Sequence, residues 1–278
     1  MKKYLFLVVS IVLALVGCVD HQVLNETMID NVSLFSANEF NALIEQARWG
    51  DGQAFLKLAD CFQSGKGVEK DVVGALSMVA MAEEFGAINC MADYLREMPE
   101  GTDLRFITSA LDKFEEHQIN EAMFIAEELI DKGCAEGYAV QGTFAIECGD
   151  TLEGLRLMKK AASRGSSLAE LLLCLPECCG RETPDMERLI SISDRVPFAN
   201  AILASIYTGR YNEDLIDKRM AAYYYLRADK QACLDKQGAR WLLYYHRVDG
   251  HLQLPEWDIQ RLQFLAGENS EVVSDKGI

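Results

Sequence analysis

The stretch QSGKGVEKD, Gln63 to Asp71, places a lysine between two glycines. A lysine beside exposed backbone amides is how many proteins hold phosphate. A nucleotide loop of that kind needs Gly-x4-Gly-Lys-[Ser/Thr] between a strand and a helix. Here position 60 is Asp, Gly67 stands where the magnesium-binding hydroxyl belongs, and the preceding segment has a helical pattern. Gly65 and Gly67 are therefore expected to supply left-handed backbone positions in a helix-to-helix turn, with Lys66 in solvent. Thiol chemistry could come from Cys174, Cys178 and Cys179 in LCLPECCG. Their spacing fits no common zinc pattern and lacks a fourth ligand. A disulfide role and a role as buried or free thiols both stay open. His246 and His251 flank RVDG and could form a catalytic or metal pair, or simply a polar turn between helices. No Gly-x-Ser-x-Gly elbow accompanies them to support a nucleophilic serine. No cofactor, metal site or catalytic set is expected, and the chain does not read as an enzyme.

Composition narrows the partners. The chain has 278 residues, half of them hydrophobic, and a formal charge of −16. Nucleic-acid binders need basic patches that release counterions, so nucleic acid is excluded as a partner. The acidity also gives no electrostatic attraction to anionic membrane.

The N-terminus carries an address. A basic MKK is followed by the uncharged apolar run YLFLVVSIVLAL, shorter than a comfortable membrane span. The run ends in Leu15-Val16-Gly17-Cys18. This Leu-x-Gly-Cys ending resembles the lipobox of bacterial lipoproteins. The resemblance implies cleavage before Cys18, diacylation of its sulfur and, often, a third acyl chain. Each buried methylene contributes about 0.8 kcal/mol to such an anchor. Removing residues 1–17 takes away two lysines and leaves a charge of −18. Val19, not an aspartate, follows the cysteine, which points to the outer membrane. Eight cysteines remain after Cys18, in a compartment where disulfides are chemically possible.

The remainder reads as helix. Residues 18–35 have no strong period and form a tether, and Ser36-Ala37-Asn38-Glu39 is a capping box. Ala54, Leu58, Ala59 and Phe62 make one apolar helical face; Ala75, Met78, Val79 and Ala82 make a second, closed by Gly86. Gly50, Gly86, Gly133 and Gly165 mark a recurring phase, followed four residues later by Ala54, Cys90, Gly137 and Ala169. Ala199 to Tyr207 and Ala221 to Ala228 repeat the two faces. Asp71, Asp150 and Asp217 each stand four residues before the start of a second-helix face, where an aspartate suits a helix N-terminus. Such periodicity is the mark of a solenoid.

These residues resemble the Sel-one-like repeat (SLR), a relative of the tetratricopeptide repeat. Leu58-Ala59, Phe62, Gly65, Gly67-Val68, Asp71, Ala75, Ala82 and Gly86 match its pattern well. The Gly137–Gly165 unit has a shortened turn, the Ala87–Gly133 unit is lengthened around Pro99-Glu100-Gly101, and the Ser166–Arg195 unit is degenerate. The Ala199–Ala232 unit lacks the Gly-x-Gly turn, and residues 239–267 form a last piece around VDGHLQLPE. The cysteine spacing of disulfide-bearing SLR proteins is absent. The resemblance implies an all-α, right-handed α-solenoid of antiparallel SLR/TPR-like helix pairs over residues 36–267, with a flexible tail at 268–278. It also implies a protein or peptide partner met by a curved surface. The alternative is an envelope enzyme or accessory subunit using His246, His251 or the cysteine cluster. The aromatic run AAYYYLRA, with Trp241 and Tyr244-Tyr245, is expected to be mostly core, any exposed share serving a partner.

The lipid assignment has a direct check. Cys18→Ala is expected to abolish fatty-acid labelling and to accumulate unprocessed precursor. Labelling and processing equal to the parent's would refute it.

Overall fold

The computed structural model describes residues 37–249 and 252–268. The expected signal at 1–17, Cys18, the tether at 18–35, Ser36 of the capping box and His251 lie outside the described residues. So does the 268–278 tail beyond its first residue. Among the described residues there is no strand. The helices are α1 (Ala37–Arg48), α2 (Gly52–Ser64), α3 (Val72–Glu84), α4 (Met91–Glu97), α5 (Asp103–Glu115), α6 (Ile119–Asp131), α7 (Glu136–Glu147) and α8 (Thr151–Ala162). After these come α9 (Ser167–Leu172), α10 (Pro176–Cys179), α11 (Met186–Ile192), α12 (Phe198–Tyr207), α13 (Lys218–Lys230), α14 (Lys236–Tyr244) and α15 (Glu256–Leu265). Successive helices pack as antiparallel pairs: α2 on α3, α5 on α6, α7 on α8, α12 on α13 and α14 on α15. The all-α ladder of helix pairs read from the sequence is the architecture of the molecule.

Local chemistry explains where the helices start and stop. Asp71, Asp150 and Asp217 are N-caps, and their carboxylates accept from Val73 N, Glu153 N and Arg219 N at 3.0, 3.1 and 2.9 Å. Each satisfies an amide that has no partner inside the helix. Asp185, after Thr183-Pro184, caps α11 in the same way. The four phase glycines Gly50, Gly86, Gly133 and Gly165 all have left-handed backbone, with φ of 78°, 77°, 81° and 89°. Only a residue without Cβ adopts that conformation without strain, and it turns the chain sharply after each helix.

Small residues set how closely the pairs approach. A Cβ on Gly142 of α7 would stand 2.9 Å from the Gly154 carbonyl, and one on Gly154 of α8 would stand 2.6 Å from the Gly142 carbonyl. The two backbones touch there, which glycine alone permits. The lengthened Ala87–Gly133 unit proves to hold an added short helix, α4, before the Pro99-Glu100-Gly101 turn. The degenerate unit is broken into α9, α10 and α11, of six, four and seven residues.

The ladder curls until it meets itself. α3 packs on α9 and α12, and α13 packs on α1. The two cores interlock as a result. Val73 lies in the core built otherwise from residues 139–266, while Ala228, Ala232 and Cys233 lie in the core built otherwise from residues 43–144. An ion-pair network holds this seam. Arg261 of α15 donates from Nη1 to Asp229 Oδ1 at 2.8 Å and from Nη2 to Asp229 Oδ2 at 2.7 Å. The same guanidinium reaches the Arg48 carbonyl at 2.9 Å and Asp258 Oδ1 at 3.0 Å. Arg48 Nη2 donates to Asp229 Oδ2 at 2.9 Å. The Arg261 side chain is 1% exposed and that of Asp229 is 5% exposed.

Removing one member of a buried pair leaves the others charged and unpaired. Asp229→Ala is expected to cost about 3–5 kcal/mol in denaturant unfolding. Glu45→Ala, which removes only an exposed i,i+3 partner of Arg48, is expected to cost about 0–1 kcal/mol. Equal losses in the two variants would contradict the network's role.

Candidate functional site

Closure of the ladder creates a cleft of about 290 Å³. Its walls come from α1, the α2–α3 turn, the start of α9, the α11–α12 turn and the end of α13. Phe40, Ile44, Phe62, Val68, Val196 and Pro197 give it apolar surface. Lys70, Arg195 and Lys230 stand around it with Glu69, Asp71 and Asp194. The charges are largely committed to partners. Lys70 Nζ lies 2.5 Å from Asp103 Oδ2, Arg195 pairs with Glu170, and Asp194 pairs with Arg227. Lys230 is exposed at the rim.

The interior edge of the cleft is polar and buried. Ser167 Oγ donates to Asp71 Oδ1, and Val73 N donates to the same oxygen at 3.0 Å. Burial pushes the Asp71 carboxyl above the usual carboxylate range, while those hydrogen bonds hold it partly down. Burial raises Glu136 in the same way, with the Ser166 hydroxyl opposing and the Asp71 charge adding to the shift. Asp71 and Ser166 cap the starts of α3 and α9. Their chemistry is the satisfaction of helix ends.

The QSGKGVEKD fragment divides between turn and cleft. Gly65 and Gly67 have φ of 74° and 73°, and Gly86 has φ of 77°. Lys66 is half-buried, not fully in solvent, and its Nζ lies 3.3 Å from Asp60 Oδ2. Residues 68–71 line the cleft. The preceding segment is α2, so the strand that a nucleotide loop requires is replaced by helix.

The thiol cluster is packed inward. Cys174 and Cys178 are buried, and Cys179 is half-buried. The Cys174 and Cys179 thiols donate to the carbonyls of Glu170 and Leu173 at 3.1 and 3.4 Å. Burial raises both, Cys174 to about 12. Thiols held protonated in this way are poor nucleophiles and poor metal ligands. His246 Nδ1 lies 3.2 Å from the Leu252 carbonyl and 3.3 Å from the Leu254 amide. The imidazole thus ties the segment before α15 to the π turn at Tyr245–Asp249. His246 bonds to the segment before α15, Cys174 and Cys179 bond to the carbonyls of Glu170 and Leu173, and His251 lies outside the described residues. Among the described residues no group of three or more His, Cys, Asp or Glu is placed to hold a metal.

The aromatic run is mainly core. Tyr224, Tyr225 and Tyr245 are buried, with Tyr224 stacked on Tyr207 and Tyr245 on Trp241. Tyr223 and Tyr244 form the exposed share. Sequence reasoning passed over Phe40, Ser167, Asp194, Arg195 and Lys230. Apart from the adjacent Asp194 and Arg195 they are far apart in the chain and become neighbours only when the ladder closes, so local spacing carries no trace of them.

No family model matches the chain, and no curated protein matches it. Solved structures of similar fold include the Sel1 repeat protein from Oxalobacter formigenes, 16% identical, with a TM-score of 0.41 over 82% of this chain and 92% of that one. Another is a protective antigen present in uropathogenic Escherichia coli strains that displays an SLR fold. It is 16% identical, with a TM-score of 0.37 over 84% of this chain and 50% of that one. The helix pairs and their caps, not these likenesses, carry the fold assignment.

The turn is testable by thermal unfolding with and without millimolar ATP and magnesium. Gly67→Ala is expected to cost about 1–2 kcal/mol, because a Cβ is strained at this φ. Lys66→Ala removes a partly exposed ion pair and is expected to cost less than about 0.5 kcal/mol. Nucleotide is expected to shift neither the variants nor the parent. A nucleotide-dependent rise in the parent that vanished in Lys66→Ala would restore the phosphate reading.

Proposed function

We propose that this chain is a binding scaffold, held by lipid on Cys18 at the bacterial envelope and on the outer membrane, that takes a protein or peptide partner at the closure cleft. The cleft carries this reading. It joins apolar surface from Phe40, Phe62, Val68, Val196 and Pro197 to a rim of mixed charge. That is the composition of a recognition surface, in which an apolar anchor gives affinity and charged groups around it give orientation. The nearest ionisable groups are engaged with one another and with helix ends, so they hold the walls in place. His246 and the cysteines at 174–179, on which the enzyme reading drew, are engaged in packing and chain ties. The acidity of the chain favours a partner with basic segments.

The test is photo-cross-linking in cells. A photoreactive residue replaces Lys230 at the cleft rim in one variant and Leu152, 84% exposed and away from the cleft, in another. The expected result is a discrete adduct from position 230 and none from position 152. Adducts of equal yield at both positions, or none from position 230, would contradict a partner at the cleft.

A further inference from the structure

The chain enters its fold at the cleft. α1 begins at Ala37, and Phe40, Asn41 and Ile44 of its first turns line the cleft. The Phe40 ring meets Phe62 of α2 edge to face, with centres 5.7 Å apart. Residues 28–35, MIDNVSLF, lie outside the described residues and immediately precede this wall. Ser36 and Glu39 make the capping box, and apolar residues flank it, Phe35 before the cap and Phe40 four residues after it. That spacing is the hydrophobic staple, in which the residue before the cap packs on the fourth helical residue. The staple partner of Phe35 is thus a wall of the cleft.

Reach and charge agree with this placement. An extended residue spans about 3.3–3.6 Å, so Leu34 reaches at most about 11 Å from Ala37 and Asp30 at most about 25 Å. Residues 19–36 carry Asp20, Glu26 and Asp30 and no Lys or Arg. At the cleft, Lys70 and Arg195 are paired with Asp103 and Glu170, whereas Lys230 is exposed and makes no ion pair with a described residue. α13 ends at Lys230 and packs on α1. Glu69 is the exposed acid of the α2–α3 turn, on the part of the rim that an incoming carboxylate avoids.

We propose that residues 28–35 occupy the closure cleft of their own chain, with Phe35 on Phe40, Leu34 against the apolar walls and Asp30 at Lys230, and that the partner displaces them. The displacement, but not the occupancy, rests on the cleft being the partner's site. A segment joined directly to the wall acts at an effective concentration on the order of millimolar. Two apolar side chains and one exposed ion pair therefore suffice to fill the cleft, and a partner with a larger apolar anchor replaces them.

The experiment places a photoreactive residue at Glu69, or at Leu152 as control, in the purified full chain. Isotope-labelled and unlabelled chains are mixed and illuminated with no other protein present, and adducts are mapped by mass spectrometry. The expected result is an adduct from position 69 to residues 28–35 within one chain, and none from position 152. Leu34→Asp combined with Phe35→Asp is expected to lower its yield about fivefold or more. Asp30→Lys is expected to lower it about twofold or more. No adduct to residues 28–35, an equal yield in the double variant, or adducts joining labelled to unlabelled chains overturns the occupancy. In cells, the partner adduct from position 69 is expected to rise in the double variant, and a yield equal to the parent's overturns the displacement. Absence of any partner adduct in cells contradicts the scaffold reading alone, because the purified chain decides the occupancy without a partner.

Discussion

The bidentate pairing of Arg261 with Asp229 is the contact on which the rest of the molecule depends. A guanidinium and a carboxylate cannot be left without partners in a protein interior. The pair is buried because α1, α13 and α15 surround it, and those helices come from opposite ends of the ladder. Closure therefore supplies the ions with partners, and the ions in turn specify one closure. Arg261 binds the Arg48 carbonyl as well as Asp229. A slip of α15 by one turn would strand its charge. Apolar contacts alone tolerate such slips more readily.

The cleft descends from that closure. α3 runs from the cleft to the start of α14, with Asp71 at one end and Glu84 at the other. The helix is apolar on nearly every side, Val72 to Ala82 being buried throughout. It packs on α2 within its own pair and on α9 and α12 across the seam. A helix enclosed in this way transmits position along its axis because none of its faces has room to repack. The polar groups at its two ends are then set by the same rigid element.

Much of this was legible from local spacing. Ala54 to Phe62 and Ala75 to Ala82 show the 3.6-residue period of two facing helices, and the cores of α2 and α3 contain them. Asp71, Asp150 and Asp217 announced helix starts because a cap is a contact over two or three residues. The turn after α13 was harder to see. Ala232 holds the left-handed position, φ 55°, that glycine holds after α1, α3, α6 and α8. Its side chain packs in the core across the seam, which compensates for backbone strain, and no sequence pattern announces such compensation. The cleft was not legible, because Phe40, Ser167 and Arg195 meet through the curvature accumulated over several helix pairs. Small rotations at each pair sum into that curvature, and no single motif encodes it.

The interlocked cores change what kind of object this repeat protein is. In an open array each unit touches only its neighbours, so ends can fray while the middle stays folded. Here the Arg261 to Arg48 contact joins residues 213 positions apart. Both ends are tied across the seam, α1 to α13 and Arg261 of α15 to Arg48 of α1. Unfolding of either end strips the other of part of its core. The array is therefore expected to melt as a single domain and not module by module, with the meeting of its two ends the contact of longest reach that folding must form.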